Sequence, residues 1–156
     1  VSDQRPAEPE APDDGPDPAH LRPEGADDAT VAAVGKLSEA FEWVQRARGR
    51  LYDFHQLMGH ADFLVEEAAD ELDEAGHRHL ADELRNEVVG RNVVAGRWTF
   101  QLVEEFDDAY HAPFAALEER VRDELMEGRR HVFESELKER RRSRGRPGHE
   151  ARPPEG

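Results

Sequence analysis

The chain has 156 residues and a net charge of −15, with 37% apolar and 37% charged side chains, so one modest core is all it can bury. Such acidity disfavours nonspecific binding to nucleic acid or anionic lipid. With no cysteine, disulfides, thiolate zinc sites and thiol catalysis are excluded. No basic start followed by an apolar run marks a secretory signal, and no stretch approaches about 20 apolar residues. A cytoplasmic protein without a membrane span is the expectation.

Residues 1–29, VSDQRPAEPEAPDDGPDPAHLRPEGADDA, hold six prolines and almost no large apolar side chain. They read as a disordered acidic leader, because so little burial cannot offset the entropy of ordering. Residues 30–142 read as a single α-helical domain, and 143–156 as a disordered basic, Pro/Gly-rich tail. Charge is polarised: residues 1–30 carry −7 and residues 138–156 carry +4.

From Val34 the positions Leu37, Phe41, Val44, Arg48, Leu51, His55 and Met58 follow at steps of three and four, which predicts a long helix with a coiled-coil seam. Ala40, Trp43, Ala47 and Phe54 broaden that seam to about half the circumference, so the helix should touch more than one neighbour. Gly59 reads as its left-handed cap. A second helix is expected over about 62–75 with Asp62 as N-cap, closed by Gly76. A third comes at about 78–89 on Leu80, Leu84 and Val88. Gly90–Gly96 is a connection by its glycines and paired valines.

A fourth helix is expected from Trp98 to about Tyr110, placing Trp98, Leu102, Val103, Phe106, Ala109 and Tyr110 on one arc. Pro113 suits the first turn of a fifth, whose stripe is Phe114, Leu117, Val121, Leu125 and Val132. That helix runs to Arg142 or is split at Gly128. The class is all-α, a helical bundle of about five helices, two long and three short, with disordered ends.

Several residues are candidates for chemistry. Arg48 and His55 lie in the apolar seam, where a basic group needs a partner: they are either satisfied core residues, with Glu124 as one partner for Arg48, or the walls of a polar pocket. Arg91, Asn92, Arg97 and Trp98, in the loop GRNVVAGRW, combine residue types common in binding hot spots. Glu104, Asp108 and His111 share a helix face and could form a metal site, but that face points away from the apolar arc, so no metal or other cofactor is expected. His77 and His79 make a lone H-x-H, a weak zinc signal. The run KERRRSRGR, 138–146, could meet phosphates, yet it lacks aromatics, so nucleic acid is not the expected partner. No nucleophile elbow or phosphate loop is present.

At GRNVVAGRWTFQLVEEFDD (90–108), FHQLMGHAD (54–62) and GRRHVFESELKERRRSRGRPGHEA (128–151) the chain resembles a group of small helical actinobacterial (high-GC) proteins of unknown function. The resemblance spans about 35–151 and carries over no site residue. The function expected is therefore a non-enzymatic binding or structural role through helix-to-helix contacts, with a protein partner or a homodimer. The alternatives are a small metal-binding or hydrolytic helical-bundle enzyme using His55 and inward carboxylates, and a nucleic-acid accessory protein using the basic run.

Overall fold

The computed structural model describes residues 14–153. Residues 1–13 of the expected leader and 154–156 of the tail lie outside the described residues. The protein is all-α: α1 is Asp28–Glu74, α2 Arg78–Glu87, α3 Thr99–Phe106, α4 Ala112–Met126 and α5 Val132–Arg141. A π-helical turn, Asp107–His111, joins α3 to α4 without a break, so the described residues form four helical rods rather than five helices. No helix among the described residues is long and apolar enough to cross a membrane.

α1 starts where Asp27, as N-cap, accepts the backbone N–H of Thr30 on Oδ1 at 2.7 Å; hydrogen bonding from the Thr30 side chain, with that backbone bond, holds its carboxyl below the usual range. The expected cap at Gly59 is corrected: both Gly59 and Asp62 are interior to α1. Gly59 has no positive φ, and the three-four spacing continues past it through Asp62, Val65, Ala69 and Leu72. A seam that stays in phase rewards an unbroken helix by more than the roughly 1 kcal/mol one exposed glycine costs. The true stop is Gly76, at φ +87, where His77 N–H reaches Leu72 O and Gly76 N–H reaches Asp73 O. That is a Schellman closure, which a residue with a Cβ adopts only under strain.

Pro113 lies inside the third rod, not at the start of a separate helix. A proline ring clashes with the carbonyl one turn earlier, and a π turn just upstream opens that space. Ala112 N–H accordingly reaches back to Asp107 O, five residues away. The extra residue in this turn also rotates the helix downstream of it. Tyr110, expected in the core, is exposed, and His111, expected on the wet face, turns inward. Within α4, Leu117 and Leu125 of the expected stripe are exposed, while Glu118 and Met126 are buried. The fifth helix is split: Glu127 and Gly128 both have positive φ, and α5 begins after them.

The contacts divide the chain into two compact units. Among the described residues, one comprises 14–36 together with 120–153. Its core is Val31, Val34, Met126 and Val132, with Ala26 and Val121 packed against it. Residues 14–27 also belong to this unit. Arg22 makes a bidentate pair with Glu136 at 2.7 and 2.8 Å, and Arg142, with no exposed side-chain surface, binds both Asp14 and Glu139. Part of the basic run is thus tied up internally.

The other unit is Leu37–Glu119. Within it Phe41 stacks on Phe114 with centroids 5.4 Å apart, and Ser38 donates to buried Glu118 at 2.7 Å. Arg85 of α2 pairs with Asp70 of α1 at 2.6 Å, beside the fully buried Ala69 and Ala81.

Candidate functional site

Three polar residues occupy the inner seam of α1 one heptad apart: Arg48, His55 and Asp62. Each meets a partner in the returning chain. Arg48 donates through Nε and Nη2 to the two oxygens of Asp107, at 2.7 and 2.9 Å. His55 Nδ1 lies 2.7 Å from the hydroxyl of buried Thr99, and Asp62 accepts the N–H of Gly90 at 2.8 Å. As the α1 numbers rise, the partner numbers fall, so the three bonds form an antiparallel ladder. A slip of one heptad would strand every one of them, which makes the ladder a register lock.

Hydrogen bonding from Arg48 holds the Asp107 carboxyl below its usual range, and Asp107 in turn raises the Arg48 guanidinium. Arg48 also reaches the Tyr52 hydroxyl at 3.3 Å and lies over its ring. Its expected partner Glu124 instead approaches Arg120, at 3.7 Å.

The loop candidates separate. Arg91, Asn92 and Trp98 line a cleft of about 500 Å³, whereas Arg97 turns away to pair with Glu105 at 2.8 Å. The loop is shaped by a tight turn in which Val94 and Arg97 exchange backbone hydrogen bonds across Gly96, at φ +75. Trp98 N-caps α3, and the Gln101 side chain accepts its N–H at 2.8 Å. The opposite wall is α1, with Met58, Phe63 and Val65; Phe63 is 67% exposed. His55 is not part of this lining.

Glu104, Asp108 and His111 do not converge. His111 Nε2 sits 2.6 Å from Gln45 Oε1, with its ring against Phe41, while Glu104 and Asp108 face outward. Among the described residues, no group of three metal-ligating side chains could hold an ion.

A second seam runs along α1, with Arg46 lying over the Trp43 ring at 4.6 Å. Ala40, Trp43, Ala47, Arg50, Phe54, Leu57, Ala61, Leu64 and Ala68 again run at steps of three and four, each one residue before a member of the inner seam. This stripe is therefore rotated from the first by about 100°. Every member is exposed, Trp43 by 59% and Leu57 by 67%. Ala40, Trp43, Ala47 and Phe54, expected as the flank of a single broad seam, belong instead to this separate one, which becomes visible because the helix continues past Gly59.

Compared with known proteins, the chain matches no family model, no curated protein and no solved structure.

Proposed function

We propose that this is a non-enzymatic binding protein that works by docking a helix, of a protein partner or of itself, along the second seam of α1. The single observation that carries the reading is that seam. A three-four repeat that is apolar at every position but Arg50 and sustained beyond three heptads is the signature of helix-to-helix packing, yet here Trp43, Phe54, Leu57 and Leu64 are all exposed. Contiguous exposed apolar surface of this kind marks an interaction site. Arg48 and His55 are already engaged in the register ladder, which favours structural roles for both over acid–base or ligand chemistry.

The test is Leu57→Glu with Leu64→Glu. Both side chains are exposed, so the double variant should melt like the parent while losing association with its partner. Unchanged association in a folded double variant would defeat the reading.

A second reading is favoured by the cleft between α1 and the 88–99 loop. Its walls are apolar at Met58, Phe63, Val65, Val88 and Trp98, while the Arg91 cation is met by Glu87 at 3.6 Å and Asp62 lines the same cleft, so the lining suits a small apolar ligand without an anionic group. A neutral naphthalene-type probe titrated against Trp98 fluorescence tests it, with Trp98→Phe, which leaves Trp43, as the control for signal origin; no saturable change would defeat this second reading.

A further inference from the structure

Building on the helix-docking reading, we infer that the partner on the second seam is another copy of the same chain, packed antiparallel, with Ala47 of one α1 against Leu57 of the other. The pattern itself selects this occupant. The seam is made of two columns: Ala40, Ala47, Phe54, Ala61 and Ala68 on one side, Trp43, Arg50, Leu57 and Leu64 on the other.

In a parallel pair each column would face itself. Trp43 would meet Trp43 of the partner subunit, Arg50 would meet its own like charge, and the alanines would face one another across a gap. In an antiparallel pair each column faces the other. One register then sets Ala40 against the partner's Leu64, Trp43 against the partner's Ala61, and Ala47 against the partner's Leu57. Every large aliphatic or indole side chain meets an alanine, the alternation of large and small that lets facing layers interdigitate.

The one remaining layer joins Arg50 to the partner's Phe54. In the single chain Arg50 is 86% exposed, and its edge-on pair with Asp53 at 3.1 Å leaves the guanidinium face open to an aromatic ring. Each contact recurs by symmetry about an axis level with Tyr52, the isologous arrangement of a two-fold dimer. The paired segment, 40–64, is about 36 Å long, three and a half heptads, the length a coiled coil needs. Shifting the register by one heptad either sets Phe54 against the partner's Leu57 over an overlap of similar length, or sets it against the partner's Trp43 over a shorter one; in both cases two large side chains crowd one layer.

The absence of cysteine lets introduced thiols report orientation without background. Ala47→Cys and Leu57→Cys, both at exposed positions, are oxidised mildly in the otherwise intact chain, each alone and as an equimolar mixture. The expected result is a disulfide-linked dimer from the mixture and none from either variant alone, because identical positions would lie about 15 Å apart along the axis, beyond disulfide reach.

Self-linking of each variant alone would mean a parallel pair and overturn the inference. Linking of Ala47→Cys with Leu64→Cys in preference to Leu57→Cys would mean a different register, with the same consequence. Sedimentation of the unmodified chain as a monomer at all micromolar concentrations would overturn self-association. The helix-docking reading fails separately, only if the folded Leu57→Glu, Leu64→Glu variant retains all association. Leu57→Glu alone should weaken the dimer by roughly a hundredfold, since it replaces a buried leucine by a charge.

Discussion

Arg48 and Asp107 hold each other by two parallel hydrogen bonds, 59 residues apart in sequence, at one end of a ladder whose other members are His55–Thr99 and Asp62–Gly90. Because the folded carboxyl of Asp107 gives up its proton more readily than an unfolded one, the pair adds stability that is complete above about pH 4. That contribution is lost as pH falls through the lowered value. Asp27 and Glu139, held low by Thr30 and Arg142, act in the same direction. Asp107→Asn should therefore melt below the parent at pH 7, with the gap closing as melting is followed to about pH 3. A gap that widens on acidification would contradict this.

Thr99 is buried at the start of α3 with its hydroxyl on His55. Thr99→Val keeps the shape and removes the partner, so chemical denaturation should show a loss of about 1–3 kcal/mol. His55→Leu removes the other side and should cost less, since an apolar side chain in the seam offsets part of the loss. A clear gain from both His55→Leu and Arg48→Leu would mean that these residues are retained for a function instead of for packing.

Three glycines of α1 separate propensity from packing. A Cβ added at Gly49 or Gly59 meets nothing within 4 Å, so Gly→Ala at either should raise stability by about 0.5–1 kcal/mol. At Gly35 the same atom would lie 2.9 Å from Cβ of Phe133, so Gly35→Ala should lower stability by about 1 kcal/mol or more despite the better propensity. Thermal melts of the three variants check the opposite signs.

The all-α class and most helix limits are legible because apolar spacing reports helix period directly. Local chemistry misleads where longer-range packing overrules it. Gly59 and Asp62 look like a stop and a start, but the seam passes through both in phase, and its continuation marks Asp62 as the third rung after Arg48 and His55. The inward turn of His111 and outward turn of Tyr110 have no such signal: they arise from a π turn beside Pro113, which an ideal wheel of 3.6 residues per turn does not contain. Thr99 and Asp107 escape a sequence reading as partners because pairing across 44 and 59 residues leaves no local trace. The loop residues Arg91, Asn92 and Trp98 are recognisable from composition alone. Arg97 shares that composition, although its charge is taken by Glu105.

Purified protein should hold no stoichiometric transition metal, since His111 is committed to Gln45 while Glu104 and Asp108 face outward. Elemental analysis giving one metal per chain would require these three side chains to regroup.

The most direct measurement is sedimentation equilibrium of the unmodified chain beside the Leu57→Glu, Leu64→Glu variant, at low and at moderate salt. The outer stripe of α1, if it pairs two copies, gives a concentration-dependent species of twice the chain mass. It tightens as salt screens the −15 charge of each copy and vanishes in the variant while helicity is unchanged. A single species of one chain mass from both proteins at every concentration and salt would contradict the pairing.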